Sequence, residues 1–244
     1  MDGREISAQH VAELSAADSG DYWWYAVRQG HVESLLRAEV SGDWSYLDLG
    51  CGAGGVMRSV VSALSPSRAL GLDGTQEAVD VARTRGAEAR FADFRKPLDL
   101  PFAPDAVTCL DVLEHLEDPV LTLEHLASEV QSGALLVVTV PAQPSLWSSW
   151  DEACGHHRRY TRGSLREHLQ RGGWRVERMR HIFSYCVPPA WWDRRVRKKV
   201  QDVEFPPVSA FMNRALGWAG RVERTLGSPM PFGTSLVACA RPQR

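Results

Sequence analysis

The chain has 244 residues, of which 44% are hydrophobic and 24% charged, as in an ordinary globular protein with a sizeable core. No apolar run approaches the roughly 18 residues of a membrane span, and the polar N-terminus is unlike a secretory signal. We therefore expect a cytoplasmic protein whose five cysteines are free thiols. The net charge is −2, but residues 155–199 alone carry 13 Lys/Arg against 3 Asp/Glu. This basic segment indicates either an anionic partner or a solvated basic face.

The N-terminal part of the chain combines a polar start with an aromatic cluster. Residues 1–20 are polar and predict little fixed structure. Tyr22, Trp23, Trp24 and Tyr25 follow, and apolar residues at helical spacing continue to residue 40. This stretch predicts a helix that either packs on the edge of a sheet or caps a bound ligand.

A short apolar strand then enters a glycine-rich loop, Leu47-Asp48-Leu49-Gly50-Cys51-Gly52-Ala53-Gly54-Gly55, and an apolar-periodic helix follows. Glycine tolerates positive φ and has no Cβ, so this loop predicts a close approach of backbone to a ligand at the start of a helix. Further apolar runs alternate with helical segments, which predicts a parallel sheet covered on both faces, with ligands at the carboxyl ends of its strands. These further strands are predicted at residues 69–72, 88–92, 106–110 and 133–140.

Beyond residue 141 the pattern is less regular. Residues 142–159 predict a long polar and aromatic loop, and two helices are expected between 188 and 228. Further elements are predicted at 161–171 (a helix), 174–183 (a sixth strand) and 235–240 (a last strand). We expect an α/β fold with a doubly wound, mostly parallel sheet in one domain. Its parts would be a helical cap (1–43), a core sheet (44–183), a helical insertion or lid (184–233) and the last strand (234–244).

The glycine loop also fits the dinucleotide pattern Gly-x-Gly-x-x-Gly, with Asp73 near the place of a ribose-binding acid. Three features oppose a nicotinamide cofactor. Asp48 precedes the glycines at a position that is normally apolar, and a carboxylate there suits a cationic ligand. Asp93 adds an acid at the third strand end, and nothing downstream resembles a hydride-transfer apparatus.

Four motifs resemble, in order and spacing, motifs I to IV of the class I S-adenosylmethionine-dependent methyltransferases; they lie at residues 47–55, 71–73, 92–94 and 111–119. Residues 147–161 and 231–236 resemble, more weakly, a bacterial small-molecule subgroup. The resemblance implies a Rossmann-like seven-stranded sheet, S-adenosylmethionine as cofactor and S-adenosylhomocysteine as product.

The same resemblance implies the cofactor contacts. Asp48 would orient the loop or contact the ammonium group of the methionine part. Asp73 would accept hydrogen bonds from the ribose hydroxyls, and Asp93 would accept one from the adenine amino group. Arg28 would reach the methionine carboxylate. For Asp73 and Asp93 the alternative is a helix cap or turn residue. The cofactor residues are Asp48, Gly50, Cys51, Gly52, Gly54, Asp73, Gly74, Asp93, Phe94, Asp111, Val112, Trp24 and Arg28.

Candidates for a general base follow the fourth and fifth strands, because histidine titrates near neutrality. Asp151 could orient one of the two adjacent histidines, and a packing role is the alternative for His115. Arg158, Arg159 and Tyr160 suit an anionic group or a salt-bridged hinge. The catalytic candidates are His156, His157, His115, Asp151 and Tyr160. The spacing from Asp151 to His157 matches no standard zinc pattern, so no metal is expected.

The sequence therefore predicts in-line transfer of a methyl group to a small molecule. The acceptor atom is expected to be oxygen in preference to nitrogen, and the molecule would be anionic if the basic segment binds it. One alternative is a nucleic-acid or tRNA methyltransferase, which the basic segment favours. The absence of an Asn/Asp-Pro-Pro-Tyr motif after the fourth strand argues against it. A second alternative is a protein that binds the cofactor but has no transfer activity. Trp191, Trp192 and the basic run at 194–199 indicate a lid, a peripheral membrane contact or an oligomer interface.

Overall fold

The computed structural model describes residues 22–192 and 208–243, so the polar N-terminus and the basic run at 194–199 lie outside the described residues. The strands are β1 (Ser45–Leu49), β2 (Arg68–Asp73), β3 (Ala89–Phe91), β4 (Ala106–Leu110), β5 (Leu135–Pro141), β6 (Trp174–Ile182) and β7 (Ser235–Pro242). Across the described residues these seven form one sheet in the order β3-β2-β1-β4-β5-β7-β6. Among these strands β7 runs antiparallel to both of its neighbours, β5 and β6, and the other neighbouring pairs are parallel. The predicted α/β class and mostly parallel seven-stranded sheet are confirmed.

Helices cover both faces of this sheet. On one face Leu123 and Leu165 belong to the core, and on the other Leu36 and Val60 do so. No helix in the described part of the chain is long and apolar enough to cross a membrane. The helices are α1 (Trp23–Glu39), α2 (Gly55–Leu64), α3 (Gln76–Thr84), α4 (Pro119–Glu129), α5 (Ser149–Ala153), α6 (Arg162–Arg171), α7 (Val187–Trp192) and α8 (Ala210–Thr225).

The prediction of a loop at 142–159 was wrong in one respect, because these residues contain the short helix α5 and a 3₁₀ turn at Pro144–Leu146. The Asp151 carboxylate accepts a hydrogen bond from the Ser148 N–H at 2.9 Å. An acid at this position of the first turn satisfies an otherwise unpaired N–H and starts a helix. The Ser148-x-x-Asp151 spacing was readable in the sequence.

The aromatic N-terminal segment forms the start of α1 and packs against the end of β6. Trp24 stacks on Phe183 with ring centroids 5.7 Å apart. Glu223 of α8 accepts the N–H groups of Phe183 and Ser184 at 2.7 and 2.8 Å. The region predicted as an insertion is therefore joined to α1, which positions α1 beside the carboxyl ends of the strands.

The surroundings of His31 in α1 lead us to expect that folding stability depends on pH. It is fully buried, and neither ring nitrogen has a hydrogen-bond partner among the described residues. Burial, helped by nearby Arg180 and Arg224, lowers its pKa from 6.5 to about 3. Because the unfolded chain then binds the extra proton, stability is full above pH 6.5 and is lost as the pH falls toward 3.

We expect the free energy of unfolding to fall by about 2 kcal/mol between pH 6.5 and 5 from this group alone. Denaturant titrations of wild type and His31→Leu across this range measure it, and the variant should lose that part of the slope. Equal slopes for wild type and His31→Leu would refute the assignment.

Candidate active site

The glycine loop between β1 and α2 is fixed to its two neighbouring strands. The N–H groups of Gly50 and Cys51 both donate to the Leu72 carbonyl, at 2.7 and 2.9 Å. Gly50 has a φ of 78°, and a Cβ there would lie 2.2 Å from the Val112 side chain after β4. A side chain is therefore excluded by both conformation and space. This loop is held between the carboxyl ends of β2 and β4.

Asp73 lies at the end of β2 and is held by two backbone donors. Its Oδ2 accepts the Gly52 N–H at 2.8 Å, and its Oδ1 accepts the Thr75 N–H at 2.9 Å. Burial raises the pKa of this carboxyl, and the two N–H bonds oppose the rise. Because each carboxylate oxygen has more than one acceptor site, both can still accept a ligand hydroxyl.

The backbone beside Asp73 borders open space. A Cβ on Gly52 would meet no atom within 4 Å, and one on Gly74 would meet only the Ala92 carbonyl, at 3.9 Å. This cradle, with a carboxylate at its base, suits a ribose bearing two hydroxyls. The predicted cofactor residues around Asp73 therefore fit an adenosine-containing ligand.

Other residues of the loop shape it from below. Asp48 is buried in β1 and accepts a hydrogen bond from the Thr108 hydroxyl of β4 at 2.7 Å. A Cβ on Gly54 would lie 3.2 Å from the methyl groups of Ala82 and Ala87, so this glycine allows α2 to approach α3. The Cys51 thiol is buried, and burial raises its pKa.

Asp93 follows β3 and has a partner that was not predicted. Its carboxylate forms a two-point ion pair with Arg95, at 2.8 Å to Nε and 3.0 Å to Nη2. The Arg95 hydrogen bond is the main reason that the pKa of Asp93 lies below its usual value. Phe94 beside it is buried. An adenine amino group would have to share this carboxylate with Arg95.

Arg28 joins α1 to the end of β4. Its guanidinium forms an ion pair with Asp111 and lies 4.7 Å from the Trp24 ring and 5.2 Å from the Tyr25 ring. Asp111 itself has a φ of 55°, so the chain turns sharply at the strand end. Four residues predicted to contact the cofactor, including Val112, are thus near one another, and α1 lies beside them in the position of a cap.

Asp151 is the centre of a second cluster, after β5. Its buried Oδ1 lies 3.0 Å from His156 Nδ1 and accepts from Arg159 Nε at 2.7 Å. Arg159 also donates to the Ala142 carbonyl at 3.0 Å and is itself buried. Asp151 is therefore placed to orient His156. Arg159 is buried and bonded within the protein, as in a salt-bridged hinge, whereas a residue that binds an anionic substrate would be exposed.

His156 faces residues from the turn after β4. Its ring meets the His115 ring edge-to-face with centroids 4.7 Å apart. Glu114 is almost fully buried, and burial, with Asp111 nearby, raises its pKa well above the usual value. Glu114, His115 and His156 each place one ligand atom within 4.8 Å of the others, an arrangement that can exchange protons or hold a divalent cation. Glu114 was not predicted, although it adjoins His115 in the fourth motif.

The other two catalytic candidates have different surroundings. The His157 side chain is exposed, and its backbone N–H donates to the Glu114 carbonyl at 2.7 Å. Tyr160 is buried, its hydroxyl donates to the Leu113 carbonyl at 3.2 Å, and burial raises its pKa. A buried phenol engaged in this way fastens α6 to the turn after β4, so Tyr160 is not kept as a candidate base.

Comparison with known proteins places these features in context. A family model described as a methyltransferase domain matches residues 34–178. An uncharacterised transposon protein of Streptomyces fradiae is 34% identical over 42% of this chain and 31% of its own length. The ubiquinone biosynthesis O-methyltransferase of Nitrosomonas europaea is 33% identical over 54% of this chain and 63% of its own length. The chain thus spans less than two thirds of either relative.

Solved structures resemble almost the whole chain. A Haloferax volcanii methyltransferase, solved in complex with the Trm112 methyltransferase activator, matches with a TM-score of 0.63 and 21% identity over 97% of both chains. The plantazolicin methyltransferase BpumL, solved with S-adenosylhomocysteine, matches with a TM-score of 0.61 and 15% identity over 97% of this chain and 90% of its own. At these identities the likeness shows the fold alone.

Proposed function

Because the chain belongs to the class I S-adenosylmethionine-dependent methyltransferases, we propose that it methylates an oxygen atom of a small molecule, with His156 as the general base. The Asp151–His156 hydrogen bond of 3.0 Å, beside His115 and the end of β4, carries this proposal. The N. europaea relative, named an O-methyltransferase, supports oxygen as the acceptor atom.

S-adenosylmethionine supplies a methyl group on a sulfonium centre, from which a neutral thioether departs without needing an acid. We assign Asp73 to the ribose hydroxyls, with Gly52 and Gly74 leaving room for them. Asp93 is assigned to the adenine, and the Arg28–Asp111 pair to the methionine end. The residues of the chain then have two tasks, which are to align the acceptor and to remove its proton.

His156 suits the second task by its hydrogen bonding. With Nδ1 bonded to Asp151, the tautomer that donates to the carboxylate leaves Nε2 free to accept a proton. A hydroxyl acceptor needs such a base, because its neutral oxygen is a weak nucleophile. His115 contacts the same ring and would help to orient the acceptor. We propose that the two described helices of the predicted lid (184–233), α7 and α8, serve as a lid of this single-domain enzyme; residues 193–207 of that range lie outside the described residues.

A matched pair of acceptors tests the preference for oxygen. The probes are a carboxylated catechol and the diamine of the same shape, each with S-adenosylmethionine labelled in its methyl group. We expect the label on a catechol oxygen and much slower transfer to the diamine. Faster transfer to the diamine would favour the N-methyltransferase alternative. Cofactor binding with no transfer to either probe, nor to other hydroxyl or amine acceptors, would favour a protein without transfer activity.

A further inference from the structure

A cavity of about 380 Å³ lies beside the edge strand β6, away from the active site. None of the residues assigned to the cofactor lines it. Leu35, Val237 and Cys239 are among the apolar residues that line it. The rest of the lining is strongly basic, with four arginines against one acid. The charged residues are Arg162, Arg166, Arg178, Arg180 and Glu177.

The four arginines come in two pairs, each fixed by local geometry. Arg162 and Arg166 are four residues apart on α6, and so lie on the same side of that helix. Arg178 and Arg180 are two residues apart on β6, opposite Cys239 and Val237 of β7. Residues of both pairs line the same cavity.

Most of this positive charge has no ionic partner among the residues that the structure describes. Arg178 pairs with Glu39 at 3.0 Å, while Glu177 is engaged by Arg175 and Arg241. The remaining three lining arginines form no ion pair with any described residue; these are Arg162, Arg166 and Arg180. Unpaired guanidinium groups around a concave surface favour the binding of an anion.

Arg180 strengthens this point, because it is half-buried. Burial lowers the pKa of its guanidinium and the positive charge of Arg178 acts in the same direction, while Cys239 and the more distant Glu223 carboxylate, with which it forms no ion pair, oppose the shift. Removing a cation from water without a counter-charge costs free energy. An anion in the cavity would offset that cost.

We propose that this cavity is a second ligand site, which binds the phosphate or diphosphate group of a small molecule between α6 and β6. Guanidinium groups match phosphate oxygens with two parallel hydrogen bonds, and the three lining arginines that lack an ion pair exceed what one carboxylate can use. The apolar side chains in the lining suit an organic portion attached to the phosphate. That phosphate could be carried by a soluble metabolite or by a lipid headgroup.

Calorimetry on the full chain with inorganic pyrophosphate as the probe tests the site. We expect saturable binding that Arg162→Ala/Arg166→Ala weakens by about tenfold or more. Arg171→Ala is the matched control, since this arginine lies at the end of the same helix, does not line the cavity and pairs with Glu167. S-adenosylhomocysteine affinity should be the same in all three proteins, which separates this site from the active site.

Co-sedimentation with vesicles of phosphatidylcholine and phosphatidylglycerol distinguishes the source of the phosphate. Pyrophosphate binding that the double variant loses would support a soluble ligand. Vesicle binding lost by the double variant but kept by Arg171→Ala, with no pyrophosphate binding, would support a lipid headgroup. Failure of both probes, or equal binding by all three proteins, would overturn the proposal, as would binding of RNA alone.

Discussion

Replacing Asp73 by alanine is expected to weaken S-adenosylhomocysteine binding by about two orders of magnitude. The variant loses the carboxylate that we assign to both ribose hydroxyls, and each hydrogen bond to a charged group contributes about 1.5–3 kcal/mol. It also frees the N–H groups of Gly52 and Thr75, which that carboxylate now fixes. Calorimetric titration with S-adenosylhomocysteine measures the change directly.

Asp80→Ala is the matched control for this experiment. Asp80 is an acid on α3 whose partners are Gln76 and Arg83 at the surface, and its removal should leave the affinity unchanged. Asp73→Asn keeps one acceptor oxygen and should bind with intermediate affinity. If Asp73→Ala folds and binds as tightly as wild type, Asp73 is a turn residue and the ribose assignment fails.

Replacing His156 by alanine is expected to lower kcat by about 10²- to 10⁴-fold, the range for loss of a general base. Cofactor affinity should hardly change, because the cradle around Asp73 is built by other elements. The measurement is steady-state turnover of a phenolic acceptor beside a binding titration of S-adenosylhomocysteine. An equal loss of turnover and cofactor affinity would indicate a collapsed site instead of a missing base.

His157→Ala provides the comparison, since it removes a histidine that neighbours His156 in sequence but has an exposed side chain. We expect it to retain most of the wild-type turnover. Asp151→Asn is a poorer probe, because Asp151 also pairs with the buried Arg159. Breaking that pair would leave a buried charge without its partner and reduce stability by several kcal/mol.

The centre of the sheet was predictable because its parallel strands are buried on both faces and read as nearly continuous apolar runs. In β1, β4 and β5 every residue is buried, as those runs require. The chain turns at the carboxyl end of β2 and β4 on Asp73 and Asp111, so the acids that the motifs contain meet at one edge of the sheet. Because β2 and β4 both pair with β1, the strand order brings these two acids to either side of the glycine loop.

The rest depended on contacts between distant parts of the chain. The pairing of Asp93 with Arg95 depends on side-chain conformation, which spacing does not determine. The role of Glu114 emerges only in three dimensions, where the segment after α5 brings His156 to the turn that follows β4. The arginine cavity exists because β7 inserts antiparallel between β5 and β6, which leaves β6 at the edge beside α6. The basic segment was visible in the sequence, but its concave arrangement was not.

Rescue of the His156→Ala variant by imidazole tests the central claim most directly. If His156 removes the proton of the acceptor, added imidazole should restore part of the lost turnover, in proportion to the concentration of its unprotonated form. The effect should therefore grow as the pH rises through the pKa of imidazole, while S-adenosylhomocysteine affinity stays constant. A variant that turns over as fast as wild type without imidazole, or one whose deficit imidazole leaves unchanged at every pH, would contradict the assignment of His156 as the base.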